Sequence, residues 1–516
     1  MAIVNMLRFD VYRNHELASD IDLSGAYVFG QDSIPVRADL AAASGRISCI
    51  KRSPGACGLA LQWEAGAAGR FLLPTTRLPE RSEPYNLNIE LARGQIGGIL
   101  LKREDWGLFD FPGAKPLNDE FDRVRRQFVE ALQTLDPAEA AASADLALAA
   151  AVTLGEKMTL FHAEILLKRR KATSRPSAFG CMVDLFASSE EYTGRLRDAF
   201  DFIRVPMPWK HTEPKERQYQ YSQADMWVNW AARNRKTIHT GPLLSFEPAH
   251  LPEWLYIWEH DYEALRDLAY EHIQRMVQRY EKHVKVWNVV SGIHAHNGFN
   301  LNFDQLMELT RMSCLLVKKQ APNSDVVIDL TMPWGEYYAR NQRTIPPLLY
   351  ADMAVQSGIK FDSFGLQLYM GVPVDGFHVR DLMQISSMLD EFVGFGKGLH
   401  ITACGVPSNM APDAWDAWAG QQPIAKGGQW HQPWNPRLQA EWAQAFCRVA
   451  LSKPFVASVC WRDLADYEGH FIPHGGLCRN NMEPKLAYKE IRAFRSMLNE
   501  SPATADTTAK PRPTDT

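Results

Sequence analysis

The stretch VKVWNVVSGIHA, residues 284–295, decides the fold. Val284, Val286, Val289 and Val290 are β-branched and flank Trp287 and Asn288, which is the make-up of a strand buried on both faces. Seven further runs share its character: FGCMVDL (179–185), FDFIRVPM (200–207), TIHTGPLL (237–244), SDVVIDL (324–330), FDSFGLQL (361–368), GLHITA (398–403) and FVASVCW (455–461). Helical patterns such as DYEALRDLAYEHIQRMVQRYEKH and FDQLMELTRMSCLLVKKQ lie between them. Eight strands alternating with helices predict a closed parallel (β/α)8 barrel, a TIM barrel, whose site is built at the C-terminal strand ends. At such a mouth a catalytic carboxylate is expected, yet the opening stretch ends in Ser291 and Gly292.

Upstream, residues 1–115 show short alternating runs: MLRFDVY, GAYVFG, GRISCIKR, CGLALQWEA, RFLLP, YNLNIEL and IGGILLK. They predict an antiparallel β-sandwich-like domain, a carbohydrate-binding module by fold analogy alone. Residues 116–173 read as a helical connector, with Asp136 an N-cap and Pro137 at the first helical position. KATSRPS (171–177) marks the boundary, residues 174–498 the barrel, and 499–516 a disordered tail without large apolar residues. With 56 basic and 60 acidic residues the net charge is −4, which gives no electrostatic footprint for nucleic acid or an anionic membrane. Arg8, Asp10 and Arg13 interrupt the N-terminal apolar run, so the expectation is a cytoplasmic protein with neither signal peptide nor membrane span. The eight cysteines, at 49, 57, 181, 314, 404, 447, 460 and 478, form no CxxC pair and are expected to be buried free thiols. No cofactor or metal is called for, and the oligomeric state is left open.

The order of loop motifs resembles glycoside hydrolase family 10, the endo-1,4-β-xylanases. Trp209, Thr212, Glu213 and Pro214 match WxxTEP; Tyr219, Tyr221, Ala224 and Asp225 match the aromatic run that follows. Pro252 with Trp254, Arg279 with Tyr280, and Trp287, Val289 and Val290 continue the series. Gly365, Leu366 and Gln367, Ile401 and Thr402, Trp461, and Pro484, Lys485, Ala487 and Tyr488 complete it. The resemblance implies a barrel acting on β-linked sugars with one glutamate as acid/base after the fourth strand and another as nucleophile on the seventh. Those positions are Gly292 and Ala403 here. Ser291, Pro208, Phe246 with Glu247, and Tyr369 also stand where the family has other residues. Retaining hydrolysis needs two carboxyl groups about 5–5.5 Å apart, and neither glycine nor alanine supplies one.

Glu247, Glu336, Asp463 and Asp466 are substitute acids from the third, fifth and eighth strand loops, although solvated acids or partners for Arg340 or Arg462 are the simpler reading. Glu213 is read as a loop anchor and Cys404 as a packed thiol. His294 and His296, two apart on what reads as an extended segment, would face one side; sugar contact is favoured over metal because no third ligand accompanies them. Trp209, Trp254, Trp334, Tyr369 and Trp461 are candidate stacking platforms for sugar rings, with His211, Asn288 and Gln367 as hydroxyl partners. Trp430 and Trp434 fall in the same mouth loops. The expected function is binding of a β-linked glycan or xylo-oligosaccharide without double-glutamate hydrolysis. An active glycosidase with displaced carboxylates and a protein-interaction scaffold are the alternatives.

Overall fold

The computed structural model describes residues 6–52, 54–170, 178–341 and 343–499, so the predicted boundary at 171–177 and nearly all of the predicted tail lie outside the described residues. The barrel strands are Phe179–Met182, Phe202–Val205, Thr237–Thr240, Val284–Ser291, Asp325–Leu330, Ser363–Tyr369, Gly398–Gly405 and Val456–Trp461. They pair in chain order, and the eighth closes on the first, with Cys181 beside Trp461. Each overlaps the run predicted for it, because β-branched residues buried on both faces leave few other solutions.

The helices between them start where capping side chains satisfy free backbone donors. Asp261 accepts from Ala264 N at 3.1 Å to open Tyr262–Tyr280. Asn302 and Gln305 form a reciprocal box, both bonds 2.9 Å, at the start of Phe303–Gln320. Several motif residues turn out to staple this scaffold. Asp225 accepts from Arg279 Nε at 2.9 Å and Tyr280 Oη at 2.8 Å, joining helix Ser222–Arg233 to Tyr262–Tyr280. Lys485 Nζ donates to Ser408 Oγ at 3.0 Å and pairs with Asp466 at 2.6 Å, and Tyr488 Oη donates to the Arg195 carbonyl at 3.0 Å. Glu213 accepts from Trp209 Nε1 at 2.8 Å and Arg217 N at 2.7 Å, the anchoring role expected of it.

The leading region holds two larger sheets beside a small hairpin of Tyr12–Arg13 with Glu16–Leu17. One contains Tyr85–Asn86, Met6–Asp10, Arg46–Lys51 and Ala38–Ala43; the other Gly69–Pro74, Gly58–Glu64, Tyr27–Phe29 and Pro35–Val36. The runs YNLNIEL and IGGILLK, predicted as strands, are instead the helix Leu87–Asp105 beyond its first two residues. Leu87, Leu91, Gln95, Ile99 and Arg103 recur every four residues and are all buried, a period that short windows divide at Gly97 and Gly98.

This helix packs with Lys115–Gln133 and the 34-residue Pro137–Arg170. Asp136 caps the latter as predicted, accepting from Ala138 N at 3.0 Å and Glu139 N at 2.9 Å. Among the described residues Pro137–Arg170 is the one helix long and apolar enough to cross a membrane, and half of its apolar window is buried against other elements, as a core helix would be.

The leading region and the barrel share backbone and side-chain bonds. Gln429–Trp430, from the long segment after the seventh barrel strand, pairs antiparallel with Gly69–Arg70 as a fifth strand of the second sheet. Glu156 of the long helix accepts from Trp430 Nε1 at 2.7 Å and His431 Nε2 at 2.8 Å.

Candidate functional site

Inside the barrel, five strands converge on one carboxylate. Asp329, with its side chain fully buried, accepts from Asn288 Nδ2 at 2.9 Å, Ser291 Oγ at 2.7 Å, Gln367 Nε2 at 2.7 Å and Thr402 Oγ1. Arg204 Nη2 lies 3.9 Å from the same carboxylate, and its Nη1 donates to the Thr402 carbonyl. Burying such a pair is costly unless hydrogen bonds fill its remaining capacity, and here they do. Asn288, predicted as a sugar contact, is only 2% exposed and gives its Nδ2 to this network, while its Oδ1 has no partner among the described residues; Gln367, half-buried, also donates to Ser291 Oγ at 2.9 Å. Neither Asp329 nor Arg204 was singled out in the sequence. The available signal was a pair of opposite charges, each set within an apolar strand, FIRV and DVVIDL.

Gly292 follows this network directly, its N–H donating to the Asp329 carbonyl at 3.0 Å. Ala403 is the ladder neighbour of Gln367, whose amide reaches Ser291, so both substituted positions lie about the same mouth. Gly292 has φ +62°, and a Cβ there would stand 3.1 Å from Thr331 Cγ2 and 3.2 Å from His296 Cδ2. The backbone is thus set for glycine, and a side chain there would need Thr331 or His296 to give way by a few tenths of an ångström. Ala403, 1% exposed, sits in an apolar cluster with Met182, Phe202, Tyr369, Phe377 and Cys460. Phe471 closes over it, its ring 4.6 Å from that of Tyr369 and 5.5 Å from that of Trp418. A carboxylate at 403 would be buried in this cluster, and the cation in contact with the cluster is Arg462, 5.2 Å from the centre of the Phe471 ring.

The histidine pair departs from expectation. Residues 292–296 turn, with Ala295 N and His296 N both bonding the Gly292 carbonyl, so the two rings do not share an extended face. His294 is buried, its Nδ1 2.6 Å from Tyr337 Oη, which itself donates to the Ile345 carbonyl, while Nε2 accepts from Thr331 N at 3.3 Å. Both nitrogens are engaged in a neutral ring, and burial pushes its pKa down to about 3. His296 stays half-buried beside Gly292.

Several predicted platforms are core. Trp209, 3% exposed, stacks on His272 at 4.5 Å; Trp461, 2% exposed, donates to the Gly475 carbonyl at 3.0 Å; Tyr369, also 2% exposed, belongs to the apolar plug. Trp430 and Trp434 are likewise buried. Trp254 is half-buried and donates to the Glu213 carbonyl at 3.0 Å. Trp334 lies under Arg380, 5.0 Å from ring centre to guanidinium, in a seam against the leading sheets.

The substitute acids separate in the same way. Glu336 is fully buried and bonded to Arg380 Nη2 at 2.5 Å, where burial raises its pKa and the guanidinium opposes the rise. Its partner is Arg380, not Arg340. Asp466 is held by Lys485 and by Gly476 N at 2.8 Å.

Asp463 and Glu247 remain near open space. Beside the plug a cleft of about 380 Å³ opens among the loops after the first, second, third and eighth strands, lined by His211, His250, Arg462, Asp463, Tyr467 and Glu468 among others. Asp463 accepts from Phe471 N at 2.9 Å; burial raises its pKa against the pull of Arg462. His250 is pushed down to about 4 by burial, with Ser245 Oγ at 3.1 Å and Glu247 at 3.6 Å from its Nδ1. Burial also lowers His211. The cleft therefore offers neutral imidazoles, a guanidinium and a carboxyl group to a polar ligand. Cys404, expected as a packed thiol, is fully buried, and burial raises its pKa.

A closed parallel barrel with its polar groups gathered at the C-terminal mouth defines a (β/α)8 protein of the kind that carries enzyme sites. The family model described as glycosyl hydrolase family 10 matches residues 170–493, and the chain belongs to that family. Endo-1,4-beta-xylanase A of Xylanibacter ruminicola is 22% identical over 236 residues, 43% of this chain and 58% of that protein. Endo-1,4-beta-xylanase B of Thermotoga neapolitana is 27% identical over 112 residues, 21% of this chain and 32% of that protein. The matches thus span less than two thirds of each of these relatives. Among solved structures, native xylanase 10B from Thermotoga maritima aligns over 64% of this chain and 98% of its own, with 17% identity and a TM-score of 0.46.

Proposed function

We propose that this family 10 barrel binds a β-linked glycan, a xylo-oligosaccharide being the first choice, and does not cleave it by the family's two-glutamate route. The observation that carries the reading is the state of the two positions. Gly292 has a left-handed backbone with tight contacts where a side chain would begin, and Ala403 is buried in a mainly apolar cluster. The ligand is assigned to the cleft beside the plug, where His211, Arg462 and Asp463 meet sugar hydroxyls and Tyr467 offers a ring. A division into a β-rich region to residue 115, a connector to 173 and the barrel to 498 belongs to the same proposal. So does a cytoplasmic location, which eight buried, unbridged cysteines suit.

A second reading has one observation in its favour. Asp463 is a carboxyl group with a raised pKa in an open cleft, Arg462 lies beside it, and Glu247 is near that arginine. It would serve as the acid of a displaced pair. Calorimetric titration with xylotriose, alongside an aryl xyloside turnover assay, separates the two. Saturable heat without turnover is expected, the heat being lost in Asp463→Asn. Turnover that Asp463→Asn abolishes would establish the displaced-acid enzyme instead, and the absence of heat with any xylo-oligosaccharide would end both.

A further inference from the structure

The seam between the leading sheets and the barrel holds a second cavity, of about 750 Å³, that shares no lining residue with the mouth cleft. Four rings line it: Tyr27 and Phe29 from the leading region, Trp334 and Phe395 from the barrel. Its charged lining is one-sided. Asp32, Asp352 and Glu391 contribute carboxylates, and among the described residues none of the three has a Lys, Arg or His within ion-pair distance; Asp352 accepts from Gln356 Nε2 at 2.6 Å. The one cation in the lining, Arg380, is neutralised by Glu336; its guanidinium sits 5.0 Å from the centre of the Trp334 ring, on one face of it, and its Nε has no partner among the described residues. Its Nη2 bonds Glu336 at 2.5 Å and its Nη1 bonds the Leu72 carbonyl at 2.9 Å, both side chains being 1% exposed. Cavities of this size at the junction of two structural regions, mostly apolar with a few polar groups, are where small ligands bind.

We propose that the seam cavity binds an organic cation with a compact aromatic or alkyl body. Ring faces attract a cation, and the attraction grows where water is excluded. The unpaired carboxylates fix the sign of the charge and disfavour an anion of the same shape. The assignment is independent of the glycan reading, since the two cavities have no residue in common.

Benzyltrimethylammonium titrated into the full chain by calorimetry tests it, with phenylacetate and xylobiose run as competitors. The expected result is saturable binding that neither competitor displaces and that weakens about tenfold in Trp334→Ala. The paired rim variant Asp352→Asn with Glu391→Gln, which leaves the rings untouched, should weaken it as well. Added salt should weaken it in the native chain and much less in the rim variant. No heat at millimolar benzyltrimethylammonium, binding that the rim variant leaves unchanged, or displacement by phenylacetate or xylobiose would overturn the proposal.

Discussion

The two sides of the barrel mouth have been built to opposite specifications. Toward the fourth to seventh strands, Gly292 and Ala403 are backed by Thr331, His296, Tyr369 and Phe377, and the space is filled by hydrocarbon and ring. Toward the first, second, third and eighth strands, His211, His250, Arg462 and Asp463 border an open cleft. Beneath both lies the Asp329 network, which holds Ser291 and Gln367, the residues just before and beside the altered positions. On one side of the mouth, then, small residues are closely surrounded, and on the other polar groups border open space, above one shared polar floor.

This contrast can be broken most forcefully at the floor. Asp329→Ala leaves Arg204 buried with its countercharge gone, and the expected cost is about 3–5 kcal/mol, read from the urea midpoint of the full chain. A loss below 1 kcal/mol would mean that water reaches Arg204 and that the floor is not sealed.

Next comes the filled side. Gly292→Glu places a side chain on a left-handed backbone and against Thr331, with an expected cost of about 1–3 kcal/mol. Combined with Ala403→Glu it is expected to give no aryl xyloside turnover, because the second carboxylate would sit inside the apolar cluster. Restored turnover would show that the plug yields to substrate.

A third test addresses the junction that holds the mouth loops. Asp381 is buried beside Glu156, and burial first, then that neighbouring carboxylate, raises its pKa to about 7. A raised acid favours folding fully below its unfolded pKa near 4, and that contribution is lost as pH climbs to about 7. Asp381→Asn, which mimics the protonated form and can still cap the helix Leu382–Glu391, should match the native melting temperature near pH 4 and exceed it above pH 7. Equal curves at both ends would remove Asp381 as the source. The smallest expected effect is at the scaffold staple: Arg279→Ala breaks a half-exposed pair with Asp225 and should cost less than about 1 kcal/mol in the same urea measurement.

The barrel was legible in the sequence because its strands are local signals: a run such as VKVWNVV carries its own burial. The leading region was read less well, since Leu87–Asp105 shows its helical period only across two glycines. At the site, legibility failed wherever a residue's role depends on a distant partner. Glu336 looks like a loop acid until Arg380, 44 residues on, is placed against it. Asn288 and Gln367 look like sugar contacts until Asp329 claims them. Trp209 and Trp461 have the residue type of a stacking platform, and only burial tells them apart from one. Residue type at a strand mouth predicts chemistry, but the direction of a side chain is set by what it can bond to across the barrel.

The pairing of Gln429–Trp430 with Gly69–Arg70 limits how freely the two regions can be exchanged. A Cβ at Gly69 would stand 2.3 Å from the Gln429 carbonyl, so one half of the molecule dictates which residues the other half tolerates. Fitting a different module onto the front of this barrel would leave that ribbon without its rail, so any replacement would have to supply an equally slender edge at the same place.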